Sequence, residues 1–102
     1  MNELIKVLAK IELFSGYNMR KTPFTNGYKP LFDFIGEKTK ISGSIDLMGK
    51  EEFTPGTSGT VQITFIKGIL NSNHFKIGET FTFGEGREPI GKGEIIEVIN
   101  TG

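Results

Sequence analysis

The sequence predicts an all-β domain of roughly six strands, folded as a sandwich or a closed barrel. Three observations lead there. Apolar and polar residues alternate with a period of two in several runs, the mark of half-buried strands. Turn signals punctuate the ends of those runs. Fourteen glycines, with no long helical window, argue for many short strands. Closure is favoured over an open sheet, because an open sheet of this size leaves two edges unpaired.

The strands are expected near 3–13, 28–35, 40–48, 59–70, 79–84 and 88–99. In the first, Ile5, Val7, Ala9, Ile11 and Leu13 share one face, although its spacing also admits a helix. RKTPFTNGYKPLF, residues 20–32, leads into the second strand with two prolines, a glycine, three large aromatics and three basic residues. There Pro23 and Pro30 set backbone direction, Asn26-Gly27 makes a turn, and Phe24, Tyr28 and Phe32 pack into or against the barrel. In the third strand Ile41, Gly43, Ile45 and Leu47 oppose Ser42, Ser44 and Asp46. In the fourth, Val61, Ile63 and Phe65 alternate with Thr60, Gln62 and Thr64, and in the fifth Phe81 and Phe83 alternate with Thr80 and Thr82. The last, EIIEVIN, is apolar on both faces, as expected of a strand covered on both sides. Ser15-Gly16, Asn26-Gly27, Pro55-Gly56 and Ser58-Gly59 read as turns.

At 102 residues, the chain fits one domain, 1–102, with a modest core. Hydrophobic residues at 36% and charged residues at 24% indicate a globular chain rather than a disordered one. Formal net charge is zero, so no global positive field draws it to nucleic acid or an anionic membrane. A local basic patch remains open. Without cysteine there is no disulfide or thiolate chemistry. The opening MNELIKVLAKIELF carries Lys6, Lys10 and Glu12 and lacks a secretory signal's apolar run and cleavage site. No window reaches the roughly 18 apolar residues of a membrane span, so the default compartment is the cytoplasm.

GREPIGKG, residues 86–93, matches the phosphate-loop pattern G-x-x-x-x-G-K-[ST] except at its last position. Gly93 supplies no hydroxyl for magnesium, Pro89 removes an amide, and a strand-like segment follows where a helix should open. A hairpin turn, with glycines that let a barrel strand bend, is the expected role, and no nucleotide is expected there. His74, the sole histidine, lies in the polar run NSNHF and builds no metal site alone. Asp33, Asp46 and the Glu51-Glu52 pair have no recognisable acid–base arrangement. No catalytic residue, metal ligand or cofactor is expected, and an enzyme is the least favoured class.

The string Arg20-Lys21-Thr22-Pro23-Phe24, then Tyr28-Lys29-Pro30 and Phe32, resembles the third domain of elongation factor Tu and its eukaryotic and archaeal relatives. That family reads R-H-T-P-F and then Y-R-P-x-F at the same spacing. Ile41-Ser42-Gly43 resembles its V-T-G, and Pro55-Gly56 its proline–glycine turn. Phe81 to Phe83, Glu85-Gly86, Ile90-Gly91 and Gly93 resemble its F-x-I-R-E-G-G-R-T-V-G-x-G. The resemblance spans residues 4–99. It implies a six-stranded antiparallel Greek-key barrel. The factor's phosphate loop, D-x-x-G switch and N-K-x-D motif are all absent from this sequence. The chain therefore resembles the third domain alone, without a GTPase.

In the family this domain touches the T-arm backbone of transfer RNA. Carried over by position, Arg20 matches a contacting arginine, and Lys21 stands where bacterial members have histidine. Ser42 replaces threonine and keeps the hydroxyl; Glu85 and Gly86 match. Leu31 replaces glutamine. Gly84 and Glu88 replace two arginines, with Arg87 one position away. The segment between Phe34 and Ile41 is longer than the family's. The candidate contact residues are thus Arg20, Lys21, Ser42, Glu85, Gly86 and Arg87. Fewer positive charges weaken phosphate contacts. The favoured expectation is accordingly a non-catalytic module that binds a protein partner, with transfer RNA as the runner-up.

Overall fold

The computed structural model describes residues 4–16, 22–37, 39–66, 75–86 and 88–100. Their strands, in chain order, are β1 (Leu4–Leu13), β2 (Phe24–Thr25), β3 (Leu31–Phe34), β4 (Ile41–Asp46), β5 (Glu52–Phe53), β6 (Ser58–Ile66), β7 (Thr80–Gly84) and β8 (Gly91–Asn100). Six of them close an antiparallel barrel in the order β1-β6-β4-β3-β7-β8, and β8 returns to pair with β1. β2 and β5 form a separate two-stranded sheet. No helix occurs among the described residues.

The barrel fills because its strands alternate. Ile5, Val7, Ala9, Ile11 and Leu13 of β1 point inward, as do Val61, Ile63 and Phe65 of β6. The middle of the core is aromatic. The Phe32 ring meets Phe65 edge-on at 5.0 Å and Phe81 at 5.5 Å. Phe34 meets Phe75 edge-on at 5.6 Å. Edge-to-face pairs of this kind add about 0.5–1.5 kcal/mol beyond the area they bury.

Residues 22–32 form a corner against this core. Phe24 is 2% exposed and stacks on Tyr28 at 4.6 Å and on Phe53 at 5.4 Å. That stack is what the short β2–β5 sheet holds in place. Asn26-Gly27 makes the expected turn; Gly27 takes φ 87°. The Asn26 side chain tightens the corner by accepting a 2.7 Å hydrogen bond from the Leu47 amide. Tyr28 and Ile45 then bridge the corner to β4, with the Ile45 amide donating to the Tyr28 carbonyl at 2.9 Å.

Two expectations fail, for identifiable reasons. Ser58-Gly59 is not a turn: it begins β6, where Ser58 pairs with Glu12 and Gly59 with Ile11. The turn lies just before, at Pro55-Gly56, where Gly56 has φ 86°. EIIEVIN is not covered on both sides either. The β1–β8 register slips twice, so that Ile96 and Ile99 have no partner on β1. Each slip is a bulge that re-aims a side chain. Ile95 stays buried, whereas Ile96 and Ile99 are 42% and 45% exposed. β6 is described as far as Ile66; the rest of the expected strand, residues 67–70, and His74 lie outside the described residues.

GREPIGKG spans the β7–β8 turn and the first residues of β8. Gly91 faces inward. A Cβ there would stand 2.5 Å from the Glu12 carbonyl oxygen and press on the Phe83 ring. Gly93 repeats the arrangement against Ile11 and Phe81. The glycines let two phenylalanine rings lie on the strand backbone. Ile90 is held on both sides, its amide by the Phe83 carbonyl and its carbonyl by the Phe14 amide. Strand β8 occupies the place where a phosphate loop would open a helix.

Candidate functional site

The register brings three of the expected contact positions to one side of the barrel. Ser42 on β4 pairs with Leu31 on β3, and Leu31 pairs with Gly84 on β7. Glu85 and Gly86 follow directly in the turn after β7, both exposed. Ser42, Glu85 and Gly86 therefore share one face, although Ser42 is more than forty residues away from the other two in the chain. Arg20, Lys21 and Arg87 lie outside the described residues.

Two side-chain hydrogen bonds organise this face, and neither was visible in the sequence. The Tyr28 hydroxyl donates to Glu85 Oε2, tying the corner to the β7–β8 turn. The Lys40 ammonium donates to the Gly86 carbonyl at 2.8 Å. Lys40 lies in the β3–β4 connection and places a cation on the face. The signal that could have found it is a lysine at the start of the third expected strand.

At the centre of the face is Leu31, 39% exposed, flanked by Ser42 and Gly84. Gly84 itself is covered. A Cβ at this position would stand 2.8 Å from the Glu88 carbonyl oxygen and 3.3 Å from Pro89 Cα. The turn thus lies across the space that a side chain at this position would need. Beside Ser42 is a depression of about 230 Å³ whose lining includes Lys29, Ser44 and Thr64. It offers an ammonium and three hydroxyls.

A second, wider concavity lies next along the same strands. It is a groove of about 680 Å³ on the outer face of β1, β3, β7 and β8. Its charged residues are Lys10, Glu12, Asp33, Glu37, Lys92 and Glu94. Of the described contact residues, Ser42, Glu85 and Gly86, none lines it. Among the described residues, no group of three or more His, Asp or Glu side chains is placed to hold a metal ion. No described helix is long and apolar enough to cross a membrane.

A scan against protein-family models finds none that matches this chain.

Proposed function

We propose that this barrel is a non-catalytic protein-binding module of the elongation factor Tu third-domain type, a Greek-key barrel without a GTPase. A closed barrel of six antiparallel strands is what that resemblance implies. The observation that carries the choice of partner is Leu31. It is exposed at the centre of the face, between Ser42 and Gly84; the face also carries Lys29 beside Ser42 and the Lys40–Gly86 and Tyr28–Glu85 bonds. An apolar centre within a polar rim suits a protein surface. A phosphate backbone is held by Lys, Arg and polar donors. Leu31 offers none, and the turn over Gly84 leaves no room for an arginine there.

The runner-up is weak transfer-RNA binding. It is favoured by the ammonium and hydroxyls of Lys29, Ser42, Ser44 and Thr64 around the smaller depression, a set that suits one phosphate.

Incorporating a photo-reactive phenylalanine at position 31 in the living host separates the two. The expected outcome is one discrete protein adduct, absent when the probe replaces the exposed Ile77. An adduct sensitive to ribonuclease would establish the runner-up instead. No adduct of either kind would sink both.

A further inference from the structure

The groove across β1, β3, β7 and β8 plays no part in the face centred on Leu31, yet it continues from it. Leu31 and Asp33 are successive outward residues of β3, and Gly84 and Thr82 of β7. From there the register lines up a row of outward side chains around the barrel: Asp33, Thr82, Lys92, Glu12 and Ser58. A second row, one pleat further, holds Thr80, Glu94, Lys10 and Thr60. Opposite charges face each other across the β1–β8 pair, Lys92 beside Glu12 and Glu94 beside Lys10. Even so, Lys10, Glu12, Asp33, Lys92 and Glu94 make no ion pair among the described residues. They remain available to a ligand.

We propose that this groove holds an extended, net-positive peptide segment of a partner protein. The proposal deepens the protein-contact reading above and rests on it. Charge gives the sign: among the described lining residues Glu12, Asp33 and Glu94 outnumber Lys10 and Lys92, and Glu37, which has a partner of its own, adds a fourth carboxylate. Length gives the shape. Five strands spaced at ~4.8 Å make the first row roughly 19 Å long, the span of about six extended residues at ~3.3 Å each. Chemistry selects a peptide over a simple polycation. The hydroxyls of Ser58, Thr80 and Thr82 can donate or accept, as a peptide's amides and carbonyls require. The ammoniums of Lys10 and Lys92 need acceptors, which backbone carbonyls supply and a polyamine does not. Basic side chains of the peptide meet Asp33, Glu12 and Glu94.

The test uses the whole chain, labelled with nitrogen-15 and followed by NMR. The probe is a capped hexapeptide of alternating lysine and threonine; a glutamate–threonine hexapeptide and spermine are the comparisons. The expected result is a saturable shift of amides around Lys10, Asp33, Thr82, Lys92 and Glu94 with the lysine peptide only. The double variant Asp33→Asn, Glu94→Gln, with its spectrum still dispersed, should bind about threefold to tenfold more weakly, the worth of two exposed ion pairs. An equal response to spermine or the glutamate peptide, shifts scattered away from the groove, or unchanged affinity in the variant would overturn the proposal. A silent titration, with a protein adduct still forming at position 31, would overturn the groove alone. Silence in both experiments would remove the protein-contact reading as well.

Discussion

Leu31 and Phe32 are neighbours in the chain with opposite fates. The β-strand pleat sends one outward and the other into the aromatic core. Phe32 is fully buried among Phe65, Phe81 and Phe83. Phe24 is nearly as buried, between Tyr28 and Phe53. Truncating such a ring removes its transfer energy and leaves a cavity, about 3–5 kcal/mol. That is a large share of the ~5–15 kcal/mol that holds an ordinary domain together. Leu31 has no cavity to leave, and its substitution by serine should change stability by no more than about 0.5 kcal/mol. Urea denaturation of Phe24→Ala, Phe32→Ala and Leu31→Ser should therefore show two large falls in midpoint and one near-wild-type curve. If Phe24→Ala or Phe32→Ala left the midpoint unmoved, the ring would not be packed as described.

Strand β8 shows where an element carries more than its pattern. Its first half alternates cleanly, with Gly91, Gly93 and Ile95 inward and Lys92 and Glu94 outward. Its second half has two bulges, which turn Ile96 and Ile99 to the surface. Ile95→Ala should cost about 2–5 kcal/mol, the loss of a core aliphatic side chain. Ile96→Thr and Ile99→Thr should each stay within about 0.5 kcal/mol of wild type. A comparable loss at Ile96 would mean that the strand runs without a bulge and is covered on both faces. The sequence showed the barrel strands well where period two is unbroken, as in β1, β4, β6 and β7. It misled at EIIEVIN, because a bulge shifts the phase of alternation and leaves no mark in composition. β2 and β5 escaped notice because two residues carry no period. Gly59 looked like a turn because a glycine inside a strand resembles punctuation. The expected contact positions came from the resemblance alone. The Lys40–Gly86 and Tyr28–Glu85 bonds were not, since each joins residues far apart in the chain that only barrel closure brings together. The groove was invisible for the same reason, its charges coming from three strands and the β3–β4 connection.

Across the whole molecule, charge is balanced in sum and uneven in place. Among the described residues, Lys29 lies beside Ser42 and Lys40 on Gly86, whereas the adjoining groove carries the excess of carboxylates. One pleat separates Leu31 from Asp33, a distance of roughly 7 Å along the strand. At physiological salt the screening length is about 8 Å. A nucleic-acid backbone laid on the Leu31 face would therefore feel the groove carboxylates as well as the lysines. RNA affinity comes mainly from neutralised phosphates and falls steeply with salt. With zero net charge and the acidic groove alongside, the barrel should show no saturable binding to transfer RNA at ~0.15 M salt. Only weak association that is steep in salt is expected at ~0.01 M, where screening reaches ~30 Å. Fluorescence anisotropy of labelled transfer RNA at both salt concentrations checks this, with the Arg20→Ala, Lys21→Ala double variant alongside. Submicromolar binding at the higher salt, lost in that variant with a shallower salt slope, would show that the two basic residues outweigh the groove. The barrel would then be an RNA-binding module, and Leu31 would be incidental to its partner.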